Sequence, residues 1–206
     1  MSYVWYVSYG SNMCAARLAC YIEGGRPLGG RRVNPGARDR RLPVRSIPVD
    51  LPGTVYFAGE SPQWGGGVAF YDHATPGHAA ARGYLVTGEQ LSDIAAQEMY
   101  RVPQPGDPLE QVVLNPLDGG RYQHGPGRYE TLVEVGRVDG MPLLTFTSPH
   151  GIDHVPRTQP SPAYLYLGNM LTLLPGQYTQ MRFKFTPLLG GDWQVDDVYV
   201  DPYRAK

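Results

Sequence analysis

The order of apolar and polar positions near the N-terminus predicts a strand, a turn and a helix in close succession. Trp5–Ser8 is mostly apolar or aromatic and is typical of a strand, and Tyr9–Asn12 then leaves it through a glycine and two polar residues. From Met13 to Ile22 apolar residues recur at helical spacing, and two glycines follow at Gly24 and Gly25. The chain therefore passes from a strand through a glycine-containing turn into a short helix.

Further apolar runs predict a sheet. The expected strands are Thr54–Ala58, Val68–Tyr71, Ala81–Thr87, Gln111–Leu114, Tyr129–Val138 and Met141–Thr147, and Arg182–Pro187 and Trp193–Val200 are expected to be strands or extended segments. Gly65–Gly67 precede one of these strands. Three consecutive glycines indicate a backbone that approaches another group closely or adopts φ angles closed to other residues.

A capped helix is predicted over Gly88–Glu98. Thr87 followed three residues later by Gln90 is a capping box. The apolar stripe of this helix consists of Leu91, Ile94 and Ala95. Glu98 lies one turn beyond Ile94 on the same side, so its carboxylate is expected to point towards the core.

A second helix is predicted over Ser161–Leu174, where Pro162 occupies the first turn. Its apolar face would consist of Tyr164, Leu167, Leu171 and Leu174. The segment Arg26–Asp50 is rich in proline, glycine and arginine and indicates a long loop. Two interpretations of this loop stay open: a solvated basic segment, or a rim that meets an anionic or amide-bearing substrate.

Composition narrows the class of protein. A chain of 206 residues with 42% hydrophobic residues indicates one globular domain over residues 1–206. A formal net charge of -1 does not provide the excess of positive charge that is typical of proteins that bind nucleic acid. Met1–Val7 lacks the basic segment of a secretion signal, and no apolar run has the length of a membrane span. Cys14 and Cys20 match no ligand or redox spacing, so we expect reduced thiols in a cytoplasmic protein of unspecified oligomeric state.

Two features are candidates for chemistry. The turn Tyr9–Asn12 offers consecutive backbone N–H groups at the start of a helix, which can form an anion or oxyanion site. The alternative is an ordinary turn with Asn12 as the helix N-cap. Glu98 is a candidate general acid and base; the alternative is a glutamate paired with Arg101 or Arg82.

Other chemistry is not expected. His150, Asp153 and His154 belong to a segment that contains glycine and follows a proline, so it is a loop without the geometry of a helical metal site. Ser11 lacks the G-x-S-x-G elbow of a nucleophile and has no identifiable partner histidine. Trp64 either covers a pocket or packs in the sheet.

Four segments together resemble the γ-glutamylcyclotransferase superfamily, which includes the γ-glutamyl-acyl cyclotransferases of antibiotic biosynthesis. They are YGSN at residues 9–12, FAGESPQWGGGVAFYD at 57–72, ARGYLVTGEQLSDIAAQE at 81–98 and PSPAYLYLGNML at 160–171. The resemblance implies an α+β fold built on a small mixed β-barrel of about six to seven strands, closed or nearly closed, with helices packed outside it. It also implies cyclisation of a γ-glutamyl substrate to 5-oxoproline with release of an amine, and this reaction needs neither a metal nor an organic cofactor.

The resemblance assigns roles to residues. Glu98 would be the catalytic acid and base. The loop of Tyr9, Gly10, Ser11 and Asn12 would line the substrate pocket. Trp64, Gly66 and Arg82 are further candidates for substrate binding, and Arg82 is also consistent with an ordinary surface arginine. Where members of the superfamily often place a tyrosine this chain has Phe146, so Tyr129 or Tyr164 would take that position.

The sequence does not identify the amine that is released. Four candidates stay open: an amino acid, a peptide, a polyamine and an antibiotic intermediate. Two rival functions also stay open: a catalytically silent protein that binds a small metabolite or a partner protein, and an amide-processing enzyme that uses the same pocket. The enzyme hypothesis requires Glu98 and Gly10 to face one cavity.

Overall fold

The structure, a computed structural model, describes residues 2–162 and residue 164. These residues belong to one compact unit, Met1–Thr172. The strands are β1 (Tyr3–Ser8), β2 (Ser46–Pro52), β3 (Thr54–Ala58), β4 (Val68–Asp72), β5 (His78–Thr87), β6 (Arg121–Gln123), β7 (Thr131–Val138) and β8 (Met141–Thr147). The α-helices are α1 (Ala15–Ile22), α2 (Gly88–Glu98) and α3 (Pro108–Val112), and short 3-10 turns cover Ser11–Met13, Asp118–Gly120 and Ile152–His154.

Six strands form a mixed sheet in the order β2-β5-β1-β8-β7-β6. At its centre β1 runs antiparallel to β5, with Tyr6 opposite Tyr84, and parallel to β8, with Tyr6 opposite Leu144. β3 and β4 form a separate antiparallel hairpin. Two hydrogen bonds join this hairpin to β8: the Tyr71 N–H donates to the Thr147 hydroxyl (2.9 Å), which donates to the Tyr71 carbonyl oxygen (2.8 Å).

The central strand carries a continuous apolar run from Val4 to Val7, and these residues are buried on both of its faces. Val4 and Tyr6 point into a core that also contains residues of α1 and α2. Trp5 and Val7 point into a second core, shared with the β3–β4 hairpin. Successive side chains of a strand alternate between the two faces, so a strand covered on both sides carries a continuous apolar run.

The predicted α+β class is confirmed, and β3, β8 and α2 have the predicted bounds. The described residues form eight strands, where about six to seven were expected. In this part of the chain β2 and β6 are the edges of the larger sheet, so the hydrogen bonds between its strands do not close a barrel.

The prediction of a strand over Gln111–Leu114 is wrong, because most of this segment belongs to or follows α3. The Asp107 carboxylate caps that helix by accepting a hydrogen bond from the Leu109 N–H at 3.0 Å, and Pro108 occupies the first turn. Leu109 and Val113 then lie one turn apart and are both buried. The signal for a helix N-terminus at Asp107 and Pro108 thus outweighs the preference of valines for strands.

The long Arg26–Asp50 segment is loop as far as β2, and part of it is anchored. The guanidinium of Arg38 donates to the carboxylates of Asp93 and Glu110, both at 2.8 Å. These contacts fix the segment to α2 and α3, so it is not solvated throughout.

Of the predicted helix over Ser161–Leu174, the structure describes Ser161, Pro162 and Tyr164, and the last two are helical. The rest of this predicted helix lies outside the described residues. The predicted segments Arg182–Pro187 and Trp193–Val200 also lie outside the described residues. The single domain proposed for residues 1–206 therefore stays a prediction.

Candidate active site

One cavity brings together most of the residues singled out in the sequence. Glu98, Trp64 and the turn Tyr9–Asn12 all line it. Its volume of about 70 Å³ is several times the roughly 10–15 Å³ that one water molecule requires. The cavity can therefore admit part of a small molecule, and Glu98 and Gly10 face the same space.

The turn after β1 is held in place by two tyrosine hydroxyls. The Tyr9 hydroxyl donates to the buried carbonyl oxygen of Phe146 at 2.9 Å, and the Ser11 N–H donates to the Tyr164 hydroxyl at 3.0 Å. Gly10 has φ -116°, which any residue can adopt. A methyl group at this position would lie 3.1 Å from the Tyr164 hydroxyl, a tight contact, so glycine favours close approach of the turn to this hydroxyl rather than backbone freedom.

Asn12 connects the turn to the helix that carries Glu98. Its side chain is buried, and Nδ2 donates to the Tyr6 hydroxyl at 3.1 Å and to Oε1 of Glu98 at 2.8 Å. The alternative of Asn12 as an N-cap is wrong, because α1 begins at Ala15 with Cys14 as its N-cap. The Oδ1 atom of Asn12 is also buried and has no hydrogen-bond partner among the described residues.

Glu98 is the last residue of α2, half-buried, with its carboxylate at the wall of the cavity. Neither arginine suggested as its partner forms an ion pair with it. Arg101 pairs with Asp107 at 3.5 Å, and Arg82 donates to the carbonyl oxygen of Met13 at 3.2 Å. Its Oε1 atom instead accepts the hydrogen bond from Asn12.

Protonated tyrosines surround Glu98. Burial raises the pKa values of Tyr6, Tyr21 and Tyr164 well above the ordinary value, and the negative charge of Glu98 raises them further. For Tyr21 a hydrogen-bonding interaction with Glu98 contributes to the raised pKa. These hydroxyls stay neutral at physiological pH, so they can donate hydrogen bonds to a carboxylate or to a developing oxyanion.

The position expected to hold a tyrosine contains the buried ring of Phe146, which stacks on Tyr6 with ring centroids 5.3 Å apart. Of the two substitutes suggested by the sequence, Tyr129 donates its hydroxyl proton to the carbonyl oxygen of Ala69 at 2.9 Å. Tyr164 accepts the Ser11 N–H. Sequence reasoning missed Tyr21, which lies near Glu98 but reads in the sequence as an ordinary core position of α1.

The other predicted binding residues are divided between the cavity and its surroundings. Trp64 lines the cavity with its ring edge-on to Tyr164. Gly67 also borders it, whereas Gly66 and Arg82 are not among the lining residues. Gly66 has φ +63°, and a Cβ there would come within 2.7 Å of the Gln159 carbonyl oxygen, so this glycine serves backbone packing against residues 159–161.

Arg17 is a cavity residue that the sequence analysis did not single out. The residue is 7% exposed, and its guanidinium lies 4.4 Å from the centroid of the Tyr21 ring. Nη2 donates to the Tyr21 hydroxyl at 2.8 Å. Nε and Nη1 are buried without a hydrogen-bond partner among the described residues. The available signal was an arginine beside the core residue Leu18 in an otherwise apolar helix.

Two further arginines lie at the cavity beside Tyr100. The guanidinium of Arg32 is 4.4 Å from the centroid of this ring and that of Arg128 is 5.6 Å from it, and all three residues line the cavity. Tyr100 has φ +60°, an uncommon conformation for a residue other than glycine. Within residues 2–162 and 164, no carboxylate forms an ion pair with Arg32 or Arg128.

The described residues contain no group of three or more His, Cys, Asp or Glu side chains arranged to hold a metal ion. Cys14 and Cys20 are both unpaired. Among the helices that the structure describes, none combines the length and apolar character needed to cross a membrane.

The chain is similar to known proteins in sequence and in fold. No family model matches the chain. Histone deacetylase 5 of Arabidopsis thaliana is 32% identical in an alignment of 154 residues that covers 70% of this chain and 23% of that protein. The chain thus spans about a quarter of the length of this curated relative.

Among solved structures, a γ-glutamyl cyclotransferase is 12% identical, with 87% of this chain and 93% of that chain covered and a TM-score of 0.46. An uncharacterised protein from Homo sapiens is 15% identical, with 88% and 94% covered and a TM-score of 0.47. What the cavity can do has to follow from its own residues.

Proposed function

We propose that this chain is a γ-glutamylcyclotransferase-like enzyme that releases 5-oxoproline and an amine from a γ-glutamyl substrate. One observation carries the proposal: Glu98 and the Tyr9–Asn12 turn line the same cavity, and Asn12 donates directly to the Glu98 carboxylate. The four segments that resemble the superfamily include both features. The reaction itself needs no metal or organic cofactor, and we place it in the cytoplasm.

In the proposed reaction the α-amine of the substrate attacks its own γ-carbonyl carbon. Glu98 takes a proton from the amine as the new C–N bond forms, and a five-membered tetrahedral intermediate results. The bond to the leaving nitrogen then breaks, and Glu98 returns the proton to that nitrogen. Because nucleophile and electrophile belong to one molecule, the cavity mainly has to fold the substrate into a reactive conformation.

The developing oxyanion requires hydrogen-bond donors that are already oriented. Backbone N–H groups of the Tyr9–Asn12 turn are one source. The Ser11 N–H is engaged by the Tyr164 hydroxyl, which leaves the N–H groups of Gly10 and Asn12 as our candidates. The neutral tyrosine hydroxyls near Glu98 are a second source, since their raised pKa values keep them protonated.

The residues beside Tyr100 favour one class of leaving amine. Arg32 and Arg128 bring two positive charges to the cavity without carboxylate partners among the described residues. Like charges repel, so a polyamine would be disfavoured there, whereas the carboxylate of a leaving amino acid or peptide would be attracted. We therefore propose a leaving amine that carries an anionic group.

The test is to identify products from a panel of γ-glutamyl amino acids, γ-glutamyl peptides and γ-glutamyl polyamines by mass spectrometry. The proposal predicts 5-oxoproline and the free amine, with the highest rates for leaving groups that carry a carboxylate. Release of glutamate instead would establish an amide hydrolase that uses the same pocket. Substrate binding without any product would establish a catalytically silent binding protein.

A further inference from the structure

The guanidinium of Arg17 is a buried cation with unused hydrogen-bonding capacity. The residue is 7% exposed, and two of its three guanidinium nitrogens have no hydrogen-bond partner among the described residues. Buried polar groups are almost always satisfied, and a buried charge without partners is costly. Because this unsatisfied guanidinium lines a cavity, it indicates that a bound ligand supplies the missing hydrogen-bond acceptors.

The ligand group that fits Arg17 is a carboxylate. No Asp or Glu of the described residues lies within ion-pair distance of this guanidinium. A guanidinium is always protonated, carries only donors, and forms its strongest hydrogen bonds with anionic oxygen acceptors. Two aromatic rings, of Tyr21 and Trp64, contact the guanidinium. Their centroids are 4.4 and 5.5 Å from the Arg17 Cζ atom.

Arg17 and Glu98 line the same cavity and both act on the hydroxyl group of Tyr21. This hydroxyl accepts a hydrogen bond from Nη2 of Arg17 at 2.8 Å, and the negative charge of Glu98 raises its pKa. A cation and an anion at one cavity match an α-amino acid group, whose ammonium and carboxylate are attached to the same carbon. The ammonium would face Glu98 and the carboxylate would face Arg17.

We infer that Arg17 binds the α-carboxylate of the γ-glutamyl group and makes that carboxylate a requirement for recognition. The inference rests on the proposed function for the identity of the ligand. It assigns the carboxylate to Arg17, so the backbone N–H groups of the Tyr9–Asn12 turn stay available for the oxyanion. Analogues that keep the amine and the γ-carbonyl but have a carboxamide in place of the α-carboxylate should bind poorly.

A binding experiment tests this without requiring turnover. Calorimetry would compare 5-oxoproline with 5-oxoprolinamide, which differ in the charged group alone. We expect wild-type protein to bind 5-oxoproline about tenfold to a hundredfold more tightly, the range for hydrogen bonds to a charged group. Arg17→Met should bind the two ligands equally, and Arg17→Lys should recover part of the preference.

Arg137→Met is the control, because Arg137 pairs with Glu134 and does not line the cavity. The inference is overturned if wild-type protein shows no preference, if neither ligand binds, or if Arg17→Met keeps the preference. The wild-type comparison decides even if the Met variant does not fold.

Parallel assays of 5-oxoproline release separate this inference from the proposed function. Release with no binding preference would refute the role of Arg17 and leave the cyclisation standing. A preference lost in Arg17→Met, without release from any γ-glutamyl substrate, would leave the carboxylate site standing and refute the cyclisation.

Discussion

Asn12 donates from Nδ2 to Oε1 of Glu98 at 2.8 Å, a contact between residues 86 positions apart in the sequence. It joins the turn after β1 to the last residue of α2. The same amide nitrogen donates to the Tyr6 hydroxyl. One buried side chain thus orients the carboxylate and fixes the turn that we propose to hold the substrate.

Replacement of Asn12 by Asp should damage stability and activity together. An aspartate has no N–H to donate and would place a second carboxylate beside Glu98. We expect a loss of about 1–3 kcal/mol in the free energy of unfolding, the cost of a lost buried hydrogen-bond partner, and a lower rate of 5-oxoproline release. Urea denaturation and initial rates measure both, and an Asp variant equal to wild type in each would contradict the role of this contact.

Replacement of Gly66 by Ala should destabilise the fold more than the same change at Gly59. Both glycines have nearly the same positive φ, +63° and +62°. Nothing lies within 4 Å of a Cβ at Gly59, whereas a Cβ at Gly66 would be 2.7 Å from the Gln159 carbonyl oxygen. Conformational strain alone costs roughly 1–2 kcal/mol, so Gly59→Ala should lose about that much and Gly66→Ala clearly more. Equal losses in urea denaturation would show that close packing at Gly66 contributes nothing.

Asp72 should make stability depend on acidic pH. Burial alone would raise the pKa of its carboxyl group, but hydrogen bonds from the N–H groups of Ile152 and Ala74 and from Thr75 outweigh burial and lower that pKa. A carboxyl whose pKa is lower in the folded state stabilises the fold above its unfolded pKa of about 4. This contribution is lost as pH falls through the folded pKa.

Asp72→Asn should therefore be less stable than wild type at neutral pH, by about 1–3 kcal/mol for hydrogen bonds to a charged group. The difference should shrink progressively as the pH falls below about 4. Thermal denaturation of both proteins between neutral and acidic pH gives the measurement. A difference that stays constant over this range would show that the charge on Asp72 does not matter.

Removal of a positive charge beside Tyr100 should change the preference for the leaving group. Arg128→Ala should slow release from a γ-glutamyl amino acid by up to about fivefold, since a solvent-accessible charge pair contributes about 1 kcal/mol or less. Release from γ-glutamyl ethylamide, whose leaving group is uncharged apart from the amine, should change little. Arg137→Ala serves as the control, and equal effects on both substrates would argue against an anionic leaving group.

The parts of this protein that local sequence determines were predicted well. The bounds of α2 follow from the Thr87–Gln90 capping box, which the structure contains, and from an apolar stripe that is buried. The inward direction of Glu98 follows from helical periodicity. The prediction failed at Gln111–Leu114, where valines favoured a strand and the start signal at Asp107 and Pro108 determined a helix.

The site needed the structure because its contacts are distant in sequence. The hydrogen bond of Asn12 depends on how β1 and α2 pack together, so the sequence could offer this residue as a helix cap but not as a partner of Glu98. Arg17 and Tyr21 show ordinary helical spacing in the sequence. Their position at the cavity depends on how α1 packs in the fold, so the structure was needed to see it. Gly66, in contrast, was singled out because it belongs to a run of three glycines. It packs closely against backbone and is not among the residues that line the cavity.

The central claim is that Glu98 transfers the protons of the cyclisation, and Glu98→Gln tests it most directly. The amide keeps the size of the side chain and an oxygen that can accept from Asn12, so the fold should persist. Glu89→Gln, a change on the first turn of the same helix, is the matched control. We predict that Glu98→Gln lowers 5-oxoproline release by about 10²–10⁴-fold, the range for loss of a general acid–base, with Glu89→Gln close to wild type. Release that survives in Glu98→Gln would contradict the account.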